Sequence, residues 1–197
     1  MTKKKNFLKE YFLTALVTVL FVFSIATVVE LELLFRSEKE VNKIELQMAN
    51  LVKFCTIEQL EKQSINEPQN YFVKIRLAEI YSSLGEYDKA NSLYIDALKI
   101  SERSNYSIYS YAIFCAKRNI LGLSANLAEE LVGTSTKTLE FKAQIYEQMA
   151  LTLENLKSYE AATKAYQVAY KYAKSVKKQK YIEKIRAKYA QSYINLA

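Results

Sequence analysis

From Tyr11 to Val29 the chain runs "YFLTALVTVLFVFSIATVV", 19 residues without a charge. A helix of that length rises about 28 Å, close to the hydrocarbon thickness of a bilayer. Twelve of these residues are Leu, Ile, Phe or Val, contributing roughly −4 to −7 kcal/mol to insertion against modest costs from Thr and Ser. The run reads as an uncleaved transmembrane anchor. A cleaved signal peptide is the alternative, because Ser24 and Ala26 have small-x-small spacing. The apolar run, however, continues through Val28 and Val29. Lys3, Lys4, Lys5 and Lys9 flank one side and "ELELLFRSEKE" the other. The positive-inside rule therefore places residues 1–10 in the cytoplasm and the rest of the chain beyond the membrane, periplasmic in a bacterium.

After the anchor the pattern changes to helical periodicity. Val41, Ile44, Met48, Leu51 and Cys55 are spaced three, four, three, four, but two heptads do not establish a coiled coil. Residues 30–65 read instead as a helical segment capping the repeats that begin at residue 66. Thr56 and Gln59 have the spacing of a capping box that divides it. Dimerisation through this segment is the minority reading. From residue 66 onward, apolar and small residues recur with helical spacing. Leu77-Ala78…Tyr81 is echoed at Tyr111-Ala112…Cys115, Met149-Ala150…Leu153 and Tyr189-Ala190…Tyr193, with alanines 34, 38 and 40 residues apart. A large residue beside a small one, with another large one at i+4, cuts a notch in one helix face. Recurrence at this period is the mark of stacked helical hairpins.

Residues 71–104 resemble a tetratricopeptide repeat, with Leu77, Ala78, Tyr81, Gly85, Tyr87, Ala90, Tyr94 and Ala97 in register. Lys74 departs from the family's usual aromatic. Residues 143–176 match through Tyr146, Met149, Ala150, Leu153, Tyr159, Ala162, Tyr166 and Ala169, although Lys157 stands where the turn glycine belongs. The unit at 105–138 keeps Tyr111 and Ala112 but has an off-register second helix and a polar break, "GTSTK". Residues 180–197 resemble a terminal capping helix. The resemblance implies an all-α helical-hairpin solenoid over residues 66–197. It also implies an inner groove lined by Phe72, Ile75, Arg76, Glu79 and Ser83, then by Tyr106, Tyr109, Ser110, Ile113 and Lys117. Gln144, Glu147, Gln148, Leu151 and Asn155 complete it. An Ala/Tyr-rich bundle would share the periodicity without the groove.

Composition narrows the chemistry. Three Gly and one Pro are too few for a β-rich fold. There is no His, the commonest neutral-pH acid/base and metal ligand. Cys55 and Cys115 lack neighbours at metal-site spacing; they read as small buried residues, with a disulfide left open. There is no phosphate loop and no nucleophile–base pair, so no cofactor, no metal and no catalysis are expected. The formal charge of +7 is concentrated in Lys171, Lys174, Lys177, Lys178, Lys180, Lys184, Arg186 and Lys188, opposed by Glu183 alone. This patch reads as a solvated helical surface, or as a contact for an acidic protein or anionic headgroups; nucleic acid is not expected.

The whole implies a membrane-anchored adaptor binding a peptide segment or helix of a protein partner, as a homo-oligomer or a subunit of a larger complex. Ancillary secretion-translocon or chaperone-type subunits share this layout. The Trp-free, His-free composition is similar to that of host-restricted spirochaetes, whose periplasmic flagellar-motor collars contain small repeat proteins; a collar component is therefore an alternative. A mitochondrial import receptor also shares the layout but needs the opposite orientation, and an enzyme is the remote alternative.

Overall fold

The computed structural model describes residues 55–176 and 179–196, together with scattered helical positions between Leu33 and Gln47. The predicted anchor at 11–29 lies outside the described residues. Among the described residues no helix is long and apolar enough to cross a membrane. Two units divide the chain, Met1–Val41 and Asn42–Ala197. In the first, Leu33, Arg36, Ser37, Glu40 and Val41 are helical.

The second unit is all-helical among its described residues. Eight helices follow one another there: α1 (Ile57–Asn66), α2 (Tyr71–Ser83), α3 (Tyr87–Ile100), α4 (Asn105–Lys117), α5 (Leu121–Glu130), α6 (Thr136–Asn155), α7 (Tyr159–Ser175) and α8 (Gln179–Leu196). The predicted capping box starts α1: the Gln59 amide donates to Thr56 Oγ1 and the Thr56 amide to Gln59 Oε1 at 2.9 Å. Ser104 and Ser135 likewise cap α4 and α6.

The chain folds into successive hairpins. Three-residue connections at 84–86, 118–120 and 156–158 join α2 to α3, α4 to α5 and α6 to α7, and such short links return the chain antiparallel. The three turns are one structure. In each, the middle residue is left-handed: Gly85 at φ +84°, Asn119 at +60° and Lys157 at +60°. Each also repeats the same closing bond, Glu86 N–H to Tyr81 O, Ile120 N–H to Cys115 O and Ser158 N–H to Leu153 O. Lys157 therefore neither tightens nor lengthens its turn; it adopts the glycine conformation at a steric cost. Lys157→Gly is expected to stabilise the protein by about 0.5–1 kcal/mol. Gly85→Ala should cost about 1 kcal/mol from backbone strain alone, because the space around that position is open. Thermal unfolding of the two variants checks the opposite signs.

Beyond the hairpins, α2 lies beside α4, and α4 beside α6. Small residues close the seams: Ala78, Ala90, Ala97, Ala112, Ala128, Ala150, Ala162 and Ala169 are all fully buried. The Ser124 hydroxyl of α5 donates to the Ala112 carbonyl of α4 at 2.9 Å, an approach that a large side chain would block. One core cluster extends from Ile75 through Tyr94, Tyr111, Phe114, Leu127, Phe141 and Ile145 to Tyr166.

One boundary differs from the repeat register. The third pair begins at Thr136, not 143, because Ser135 caps a helix of 20 residues. The polar break before it is ordered: the Asn105 side chain accepts from Val132 N–H and donates to Val132 O. The N-terminal end of the stack is covered through Leu60 of α1, packed on Phe72, Val73 and Leu77. Val41 and Ile44 are exposed, while Glu45 is buried and accepts from the Tyr71 hydroxyl at 3.0 Å. Cys55 and Cys115 are free thiols, the second fully buried, with burial pushing its pKa up to about 11.

Candidate functional site

A cleft of about 400 Å³ lies between α2 and α4, which run side by side. Glu79 and Ser82 of α2 form one wall. Tyr106, Tyr109, Ser110, Ile113 and Lys117 of α4 form the other, with Tyr94 of α3 and Phe114 as further lining. Six residues expected from the repeat register thus meet here: Glu79, Tyr106, Tyr109, Ser110, Ile113 and Lys117. Their i, i+3, i+4 and i+7 spacing on α4 aims them at one side.

The other expected groove residues do different work. Ile75 and Phe72 are buried at 2% and 7% exposure and belong to the core, because α1 and α4 close over that end of α2. Arg76 bonds to Glu79 at 2.9 Å and holds that carboxylate at the cleft rim. Ser83 is exposed at the turn, its hydroxyl bonded to Ile80 O. On α6, Gln144 accepts from the Tyr109 hydroxyl at 2.7 Å. Gln148 and Leu151 are half-buried and Asn155 is exposed at the turn. Glu147 is buried under α8. It accepts from Lys188 at 2.7 Å, Lys184 at 2.9 Å and the Tyr181 hydroxyl at 3.4 Å. Of the fifteen, six therefore line one cleft, Glu147 is latched under α8, and the others lie in the core, beside the cleft or at the turns.

Aromatic rings rigidify the cleft. Tyr109 stacks on Phe141 with centroids 4.2 Å apart, Tyr106 lies 5.7 Å from Phe72, and Tyr94 packs 5.0 Å from Phe114. Tyr94, 4% exposed, also lines the cleft. Burial, then the Glu79 charge, pushes the Tyr94 and Tyr106 hydroxyls well up, Tyr106 to about 12. They stay protonated at neutral pH and can donate. Lys117 and Glu79 give the rim opposite charges. A second hollow of about 530 Å³, between Lys157, Tyr159, Lys164 and Asn195, is an open depression at an exposed turn without comparable aromatic walls.

Tyr94, Phe114 and Ser82 carry no groove signal in the sequence, because they serve as packing positions in their own helices. Phe141 does carry one, unused in the repeat register: Phe72, Tyr106 and Phe141 recur at spacings of 34 and 35.

The basic patch divides. Lys171, Lys174, Lys180 and Arg186 are exposed, Lys184 and Lys188 grip Glu147, and Lys177 and Lys178 lie outside the described residues. Burial alone would raise the Glu147 pKa, but the two lysines outweigh it and hold the carboxyl below its ordinary value. A depressed carboxyl pKa contributes stability above the unfolded-state value of about 4.3 and loses it as pH falls through the folded-state value. The stability gap between wild type and Glu147→Gln should therefore be widest near neutral pH and close on acidification below about pH 4. Melts at stepped pH check this.

Among the described residues no three Cys, Asp or Glu side chains are placed to share a metal ion. No protein-family model, curated protein or solved structure matches the chain.

Proposed function

We propose that this protein is a membrane-anchored, non-enzymatic adaptor of the tetratricopeptide-repeat type, and that its cleft between α2 and α4 holds an extended segment of a partner polypeptide. Three identical turns at recurring positions and first helices lying side by side support the repeat reading. The charge-free run at 11–29 with its lysine-rich flank supports a single-pass anchor with the helical domain on the extracytoplasmic side.

The observation that carries the binding role is the cleft itself, walled by Tyr94, Tyr106, Tyr109 and Phe114 with Glu79 and Lys117 at its rim. The tyrosine hydroxyls of the wall offer hydrogen bonds to a peptide backbone, while Ile113 and Phe114 receive an apolar side chain. Glu79 and Lys117 set the charge order of the bound segment. Tethering in the membrane plane raises effective concentration, so a cleft of this size suffices for assembly.

Ile113→Trp, at a half-buried wall position, should fill the cleft and reduce co-assembly of the partner complex at least about tenfold, a loss of roughly 1.4 kcal/mol. The melting curve should stay close to wild type. Unchanged co-assembly with a correctly folded variant would remove the proposal.

A further inference from the structure

We propose that the open face of α8 docks an acidic amphipathic helix of another protein, which takes the place that a second helix occupies in each preceding pair. This surface is separate from the cleft.

By register, Ala190 of α8 corresponds to Ala78, Ala112 and Ala150 of α2, α4 and α6. Those three are fully buried, because α3, α5 and α7 pack against them. Ala190 is exposed. The contrast continues one turn further along. Cys115 and Ala116 of α4 are fully buried, whereas their counterparts Tyr193 and Ile194 are 62% and 66% exposed. On the opposite side, α8 is docked in the manner of the other first helices. Ile185 and Ser192 are fully buried, and Ser192 bonds to Thr163 of α7 at 2.9 Å. One face of α8 is thus seated, and Ala187, Ala190 and Ile194 form a stripe on the other at helical spacing.

The notch geometry selects a helix as occupant. Each preceding second helix brings its own small residues to the seam: Ala90 and Ala97 from α3, Ser124 and Ala128 from α5, Ala162 and Ala169 from α7. Charge selects an acidic one. Lys180 and Arg186 border the open stripe, and Lys171 and Lys174 lie on the adjoining α7. None of the four is salt-bridged among the described residues, and Glu183 alone opposes them. Lys184 and Lys188 share the single carboxylate of Glu147 on the seated side. A second copy of α8 would bring like charges together, so self-association is disfavoured.

The test uses the full-length protein in detergent micelles and a fluorescent, stapled helical peptide copying Tyr159–Ser175, with Lys164→Glu, Lys171→Glu and Lys174→Glu. Saturable binding is expected, weakened at least tenfold by Ala190→Leu and by the double variant Lys180→Glu/Arg186→Glu. The melting curve of Ala190→Leu should match wild type, because that position is exposed. The proposal is overturned by equal binding of the peptide with its native lysines, by undiminished binding to Ala190→Leu, or by no saturable binding. It is also overturned if Ala190→Leu lowers the melting temperature, or if wild-type self-association disappears in that variant, since either result assigns the face to this chain itself.

Discussion

Truncation of Tyr166 to alanine is expected to remove about 3–5 kcal/mol of stability. Tyr166 heads the fully buried side chains by volume, at 0% exposure, and its hydroxyl donates to Glu154 of α6 at 2.9 Å. The substitution empties a ring-sized space between α6 and α7 and takes the tyrosine donor from that carboxylate. Tyr166→Phe keeps the ring and should cost only about 1 kcal/mol. Because total stabilities are about 5–15 kcal/mol, the alanine variant should leave the C-terminal pairs largely open while α2 and α3 hold. In a stack each pair depends mainly on its neighbours. Hydrogen exchange resolved by segment checks this: early exchange confined to α6–α8 is the expected result, and simultaneous exchange throughout is the contrary one.

The second large effect runs in the opposite volumetric direction. Ala90→Leu and Ala162→Leu should each destabilise by about 1–3 kcal/mol through overpacking. Both alanines have 0% exposure, and each lies where two helices of a pair touch. Fully buried alanines recur along the whole seam, so the helices approach too closely to admit the added methylenes without a backbone shift. Unchanged unfolding midpoints for both variants would mean that the seams are loose, and the stacking account would fail with them.

How much of the fold is legible in the sequence depends on what each residue must satisfy. The hairpin pattern is legible because a notch demands a small residue at a fixed register, and Ala78, Ala112 and Ala150 have no substitute in that role. The box at Thr56 and Gln59 is legible because capping is a local hydrogen-bonding requirement. Lys157 misleads. A left-handed residue is favoured to be glycine but not compelled to be, and the surrounding hydrogen bonds hold the lysine in place. The cleft is only half visible. Glu79, Tyr106 and Lys117 face outward by helical phase, but closure over Phe72 and Ile75 depends on how tightly α1 and α4 approach α2. That distance is a tertiary property. Glu147 illustrates the same limit: an acid at a groove register looks like a recognition residue until α8 lays two lysines across it.

The direct test of the central claim is photocrosslinking in living cells, with a photoreactive amino acid placed in turn at Lys117 on the cleft rim and at Lys99 near the end of α3. If the cleft holds a partner polypeptide, position 117 should give one discrete adduct, lost on Ile113→Trp, and position 99 should give none. Identical adducts from both positions, or an adduct at 117 that survives filling of the cleft, would contradict the account.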